Sequence, residues 1–423
     1  MVEVNFLGGC LQIGGSAVGI ETPAGTVLLD YGIFMEKTPM FPAEIRPKEL
    51  SAVLLSHAHL DHSGGIPLLY SGTATPRLLA TRLTIDLARV LIEDMIRISE
   101  YYLPFGKPEL FALLNRVHAV QYDKVKVSSH CVVQFMDAGH IPGSSAFYLE
   151  LNGKRILYTG DYNAIDTQLL RKARLKASKI DAVIIESTYA LEDHPNREEI
   201  EKDFVEKVNT IVSQEGTVLI PAFGVARSQE ILCVLMKYGF KYPIFVDGMA
   251  RKVCHIFSDN GQSYQNYFRD YKLLKKAIQR SHCISKGRTK VAEREKAVHT
   301  PGVIIAPSGM LKGGTAVSYM DELYQSARNG VFLVSFQIPE TPGQVLVDEM
   351  MWGDKEVSAK VQKFRFSSHA GRTELWELIH SMGKNPDATV FCMHGEEEAC
   401  KTFAREIEET TKLNAIAPNS GES

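Results

Sequence analysis

Residues 52–65 read Ala-Val-Leu-Leu-Ser-His-Ala-His-Leu-Asp-His-Ser-Gly-Gly, and this stretch limits the possible folds more than any other. An apolar β-run ends, and His57, His59, Asp61 and His62 then set four metal-type side chains within six residues. They cannot all face one ion. In an extended loop, alternation sends His57 and His59 one way and leaves Asp61 and His62 for a neighbouring ion. Gly64 and Gly65 predict a tight turn before the next helix. Imidazole and carboxylate suit zinc, although manganese and iron accept the same donors. Two ions need more ligands than one loop provides, so distant segments must contribute. His140, in Asp137-Ala138-Gly139-His140-Ile141-Pro142-Gly143-Ser144, and Asp161, in Tyr158-Thr159-Gly160-Asp161-Tyr162, are candidates. Histidine rather than glutamate at position 59 argues against a diiron redox site on this kind of loop.

Around this motif, short β-rich runs alternate with helical stretches, which predicts a layered α/β protein. Ser16–Glu21 and Gly25–Leu29 flank Thr22-Pro23-Ala24, a hairpin signal. Further strands are expected at 52–55, 155–158, 182–185, 217–220, 303–305, 331–334 and 389–391. The aliphatic spacing of Leu83, Leu87, Val90, Leu91, Met95 and Ile98 predicts a helix over 81–102. Asp30, His57, Asp161, Glu186 and His394 each lie at or just past a strand end, where loops of open α/β sheets converge on a ligand. The polar tail 417–423 is expected to fray.

With 423 residues, the chain exceeds what one core usually serves. Its 45% hydrophobic and 23% charged residues exclude wholesale disorder. The net charge of −3 neither demands nor forbids a polyanionic partner. No apolar run approaches the roughly 18 residues of a membrane span, and residues 1–10 look like a strand rather than a signal peptide. A cytoplasmic protein without a membrane partner is the expectation. The seven cysteines are scattered, with no CxxC pair, which argues against a disulfide scaffold and a thiolate metal site.

The motif at 57–62 with its two glycines, Leu28-Leu29-Asp30-Tyr31-Gly32 upstream and the His140 and Asp161 segments downstream resemble the metallo-β-lactamase superfamily. Glu186-Ser187-Thr188-Tyr189, Ser367-Ser368-His369-Ala370-Gly371 and Met393-His394-Gly395-Glu396 are similar to the three added motifs of its β-CASP nucleases. The likeness includes residues 221–230 and 307–310 and runs through nearly the whole chain. It implies an αββα sandwich with an inserted α/β β-CASP domain. The metallo-β-lactamase domain would occupy 1–189, the insertion 190–368 and the return segment 369–423. The same resemblance implies a start at the catalytic domain, without the KH or long C-terminal extensions of some relatives. Residues 8–16, Gly-Gly-Cys-Leu-Gln-Ile-Gly-Gly-Ser, depart from the more charged family sequence.

Carried over by position, the resemblance assigns His57, His59 and His140 to one zinc, and Asp61, His62 and His394 to a second, with Asp161 bridging. A shared carboxylate lowers the repulsion between two cations, and paired cations activate water against phosphorus. Asp30 would orient a ligand histidine. His369 would contact the scissile phosphate or donate a proton to the leaving oxygen, with Glu186 fixing its orientation. Histidines 118, 130, 194, 255, 282, 299 and 380 have no motif context.

Residues 251–300 hold twelve Lys/Arg against four acids, with Phe257, Tyr264, Tyr267, Phe268 and Tyr271 interleaved. Cations neutralise phosphates and rings stack on unpaired bases, so the stretch suits a single nucleic-acid strand better than a neutral metabolite. The resemblance, which puts it in the cassette over the metal cleft, implies single-stranded RNA, with Lys275, Lys276 and Arg280 as contacts. The resemblance thus implies a two-zinc ribonuclease similar to RNase J and to the nuclease subunit of the cleavage and polyadenylation specificity factor. It implies a homodimer as well. The rivals are a same-fold hydrolase of DNA, a thioester or a lactone, and a non-catalytic scaffold. Scaffolds typically lose ligands, whereas all seven expected here are present.

Overall fold

Near-continuous apolar runs such as Val183–Ile185 and Val303–Ala306 suit strands covered on both faces, and both are fully buried in central parallel strands. The computed structural model describes residues 2–35, 38–99, 103–381, 385 and 387–423, which divide into two units. The first comprises residues 1–165, 172–193 and 368–423, and the second residues 166–171 and 194–367.

Two mixed sheets build the first unit. One runs, in spatial order, Val4–Gly8, Ala17–Ile20, Thr26–Leu29, Leu50–Leu54, Leu78–Thr81 and Val117–Val120. The other runs Asn414–Ile416, Thr389–Met393, Ala182–Glu186, Lys154–Tyr158, Ser145–Leu151, Cys131–Asp137 and Lys124–Ser128. Their facing side chains, including Phe6, Val27, Leu54, Phe135, Phe147 and Ile184, form one buried layer. On the outer face of the second sheet, Leu375, Leu378, Phe403 and Ile407 come from helices Arg372–Ser381 and Glu397–Thr411. Helix Arg82–Ile98 packs on Leu78–Thr81 and Val117–Val120 of the first sheet. The result is the αββα order expected.

The predicted hairpin is present, with Val18, Gly19 and Ile20 opposite Leu29, Leu28 and Val27. The predicted helix begins where Thr81 accepts the N–H of Thr84 and ends at Ile98; residues 100–102 lie outside the described ones. The tail does not fray. Phe6 donates its N–H to Glu422 O (2.9 Å), and Gly421 donates to Phe6 O (2.6 Å). Val4–Gly8 is an edge strand whose open backbone groups accept the tail as a partner.

The second unit holds a parallel sheet in the order His282–Cys283, Ile244–Val246, Gly302–Ala306, Thr217–Pro221, Gly330–Leu333 and Lys360–Lys363. Within it Phe257, Tyr264, Tyr267 and Phe268 are core residues, exposed by 6% or less. The expected base-stacking role for these rings therefore fails: Phe257 and Phe268 pack edge to face at 4.9 Å instead. Tyr271 is half-buried and spends its hydroxyl on Phe257 O. The cations fare differently. In helix Tyr271–Arg280 the buried residues are Leu274, Ala277 and Ile278, and Lys275, Lys276 and Arg280 occupy the exposed face.

Candidate metal centre

The strand Leu50–Leu54 delivers His57 to the sheet end, and the chain then turns rather than staying extended. Residues Leu60–Ser63 form one helical turn, with His59 at its start and the Ser63 hydroxyl donating to Ala58 O (2.9 Å). The turn, not strand alternation, separates Asp61 and His62 from His57 and His59. Gly64 and Gly65 have ordinary right-handed backbones (φ −66° and −89°), so no tight turn requires them. Close packing does: a Cβ on Gly64 would sit 2.6 Å from Leu60 O and 2.8 Å from Ile33. Gly32 serves the same turn from outside, since a Cβ there would fall 1.7 Å from Asp61 O.

Three groups of donor atoms meet at Asp161. His57, His59, His140 and Asp161 form one, Asp61, His62, His394 and Asp161 a second, and Asp161, Glu186 and His369 a third, each with its donor atoms within 4.8 Å of one another. Asp161 Oδ2 lies 3.4 Å from His57 Nε2 and 3.3 Å from His140 Nε2. Its Oδ1 lies 3.1 Å from His62 Nε2 and 3.3 Å from His394 Nδ1. His140 Nε2 is 3.2 Å from His59 Nδ1, and Asp61 Oδ2 is 3.5 Å from His394 Nε2. His57, His62, His140, Asp161 and His394 are buried; Asp61 keeps a third of its side chain exposed.

These residues suit metal binding. Among the described residues, buried His57 Nε2 and Asp161 Oδ1 have no hydrogen-bond partner, a costly arrangement unless something else satisfies them. Bonds of about 2.0–2.1 Å in a tetrahedron put ligand atoms roughly 3.3 Å apart, close to the separations here. The far sides of the rings are held as metal-binding imidazoles usually are. His62 Nδ1 faces Asp30 Oδ2 at 2.8 Å, His140 Nδ1 faces Ser368 O at 2.8 Å, and His57 Nδ1 faces Ser56 Oγ at 3.1 Å. Burial pushes the pKa of His57, His59 and His140 down, so they are neutral and able to ligate. Burial opposes charge on Asp161 and Asp61, but His62 and His394 outweigh it and hold both well below the usual carboxylate range.

Asp30 has a left-handed backbone (φ 57°) at a strand end and collects four bonds. Ser56 N and Oγ each donate at 2.7 Å, the Tyr158 hydroxyl at 2.8 Å, and His62 Nδ1 completes the set. Asp30 thus lies against the far side of the His62 ring from Asp161. Ser56 and Tyr158 escape a sequence reading: Ser56 is hidden beside the more telling histidine, and Tyr158 reads as an ordinary inward strand residue.

His369 stands over the first group, its Nε2 3.9 Å from Asp161 Oδ2, with 21% of its side chain exposed. Its Nδ1 lies 2.9 and 3.0 Å from the two oxygens of Glu186, which also accepts Tyr162 N–H at 2.7 Å. Burial works against charge on His369, but the Glu186 and Asp161 carboxylates outweigh it and hold the ring up to about 9. An imidazole held toward its protonated form beside the donor cluster can give a proton or bind an anion. Lys275, Lys276 and Arg280 belong to the second unit and take no part in this cluster. Among the described residues, no helix is long and apolar enough to cross a membrane.

Residues 20–188 match a metallo-beta-lactamase superfamily domain, 228–346 a Beta-Casp domain, and 354–418 a Zn-dependent metallo-hydrolase RNA specificity domain. The chain is 35% identical to RNase aCSPSF2 of Saccharolobus solfataricus, across 99% of this chain and 84% of that protein. It is 32% identical to the probable RNase MJ4 of Methanocaldococcus jannaschii, across 100% and 99%. Transcription termination factor FttA of Pyrococcus horikoshii is 29% identical across 99% of this chain and 70% of its own length. A crystal structure of a protein of unknown function from Enterococcus faecalis V583 shares the fold, with a TM-score of 0.59 at 15% identity, over 99% and 98% of the two chains.

Proposed function

Since the chain belongs to the β-CASP branch of the metallo-β-lactamase superfamily, we propose that it is a two-zinc ribonuclease that hydrolyses phosphodiester bonds of single-stranded RNA. One observation carries this reading above the others: two sets of ligand-type side chains share the two oxygens of Asp161. The relatives' names, and the RNA specificity domain matched at 354–418, support RNA as substrate over DNA or a small ester. The full ligand set argues against a scaffold. RNA processing or decay, a cytoplasmic setting and a homodimer belong to the same reading.

His57, His59 and His140 with Asp161 would hold one cation, and Asp61, His62 and His394 with Asp161 the other. Bound there, divalent cations supply Lewis acidity toward a phosphoryl oxygen and toward water. The chain's own groups do the rest. Asp30, Ser56 and Ser368 O hold the ligand rings in place. His369 carries a proton on Nε2 and passes it to the leaving oxygen, while Glu186 fixes the ring through Nδ1. Cutting is endonucleolytic, 5′-to-3′ exonucleolytic, or both.

The deciding experiment offers 5′-monophosphorylated and 5′-triphosphorylated labelled RNA, with single-stranded DNA as control, to protein stripped with a chelator and then reloaded. The expected result is RNA cleavage lost on stripping and restored by zinc, with DNA left intact. Equal cleavage of DNA, or undiminished turnover after stripping, rules the proposal out. A second expectation concerns affinity. Lys275→Glu together with Lys276→Glu should weaken RNA binding and lower the slope of log K against log salt by roughly 1 for each phosphate no longer neutralised. An unchanged salt slope would mean that these lysines do not touch RNA.

A further inference from the structure

At the start of the second unit, Asn196 caps helix Arg197–Ser213, and Arg197 turns inward with 11% of its side chain exposed. Its three donor nitrogens go three ways. Nη2 meets Glu230 Oε1 at 2.5 Å, Nε meets Glu201 Oε1 at 3.3 Å, and Nη1 donates to the carbonyl of Ser367 at 3.1 Å. The guanidinium also lies over the buried Phe366 ring, 4.8 Å from its centre. Both glutamates are buried and fully engaged: Glu230 accepts Gln168 N and Leu169 N, and Glu201 accepts Gln168 Nε2 and Lys237 Nζ.

A buried ionic cluster is seldom more stable than an apolar plug of equal volume, so its use here calls for something apolar packing lacks. That property is direction. A planar guanidinium, aimed by two carboxylates, fixes the position of one carbonyl oxygen. The carbonyl belongs to Ser367, one peptide bond before Ser368, whose own carbonyl faces His140 Nδ1. His369 comes next, and Ala370 N is held by Tyr162 O at 2.6 Å.

We infer that Arg197, aimed by Glu201 and Glu230, is a positioning residue that sets the 367–369 backbone and through it the rings of His369 and His140. The inference rests on the function proposed above. Arg197→Lys keeps the charge but cannot serve three acceptors in fixed directions. It should lower kcat about 10–100-fold, the usual cost of losing an orienting partner, with KM nearly unchanged and a melting point lowered but still above the assay temperature. In a His369→Ala background the same substitution should cost clearly less than in the wild type, the part that remains being what passes through Ser368 O to His140. Deuterium exchange at the amides of 366–370, which needs no activity, should speed up about tenfold or more in Arg197→Lys. An additive cycle, or unchanged exchange, overturns the inference. If Arg197→Lys does not fold, Glu230→Gln is read in the same cycle with the same two outcomes. Failure of the parent proposal looks different: the metal-loaded wild type would leave RNA uncut.

Discussion

Asp161→Ala is expected to end RNA cleavage, with a loss on the order of 10³-fold or more in the single-turnover rate, since cation binding contributes several kcal/mol to the transition state. Each oxygen of this carboxylate faces a different histidine set at 3.1–3.4 Å, so one substitution opens both groups. It also leaves buried imidazoles without their one shared anion. Bound metal should fall together with activity, and elemental analysis alongside the cleavage assay checks both. His59→Ala should be milder for metal content, because it removes one ligand from one group. Normal metal content and normal turnover in Asp161→Ala would be incompatible with a shared centre.

His369→Ala should lower kcat about 10²–10⁴-fold, the range for losing a positioned acid, while the metal content stays at the wild-type value. The second half of that statement separates it from Asp161→Ala: His369 Nε2 stands 3.9 Å from Asp161 Oδ2 and belongs to neither of the two groups assigned to cations above. Glu186→Gln should lose less, because the amide oxygen still accepts a hydrogen bond from Nδ1 while the charge is gone. A substrate with a leaving group that needs no proton, such as a 4-nitrophenyl phosphodiester, tells the two roles of His369 apart. Wild-type rates on that substrate identify a proton donor. An equal loss on both substrates would mean that His369 binds the phosphate instead.

Much of the first unit was legible because its strands are covered on both faces and its motifs sit directly after them. The run at 182–185 followed by Glu186, and the run at 389–391 followed by His394, needed only periodicity to place. The pairing of residues hundreds apart, such as His62 with His394, came from family likeness, since spacing along a chain carries no such information. The turn at 60–63 was not legible: four residues are too few to show helical periodicity, and alternation pointed the other way. The aromatic residues at 257–271 misled for a related reason. Rings interleaved with cations describe a nucleic-acid surface and an amphipathic helix equally well, and here burial decided for the helix. The tail at 421–422 was misread because composition does not reveal an open strand edge elsewhere.

The order in which ligands appear along the chain has a consequence for synthesis. His394 is made long after His57, Asp61 and Asp161, with the whole second unit translated in between. A nascent polypeptide therefore holds six of the seven ligands while the second unit is being made, and the second group is completed only when His394 emerges near the end.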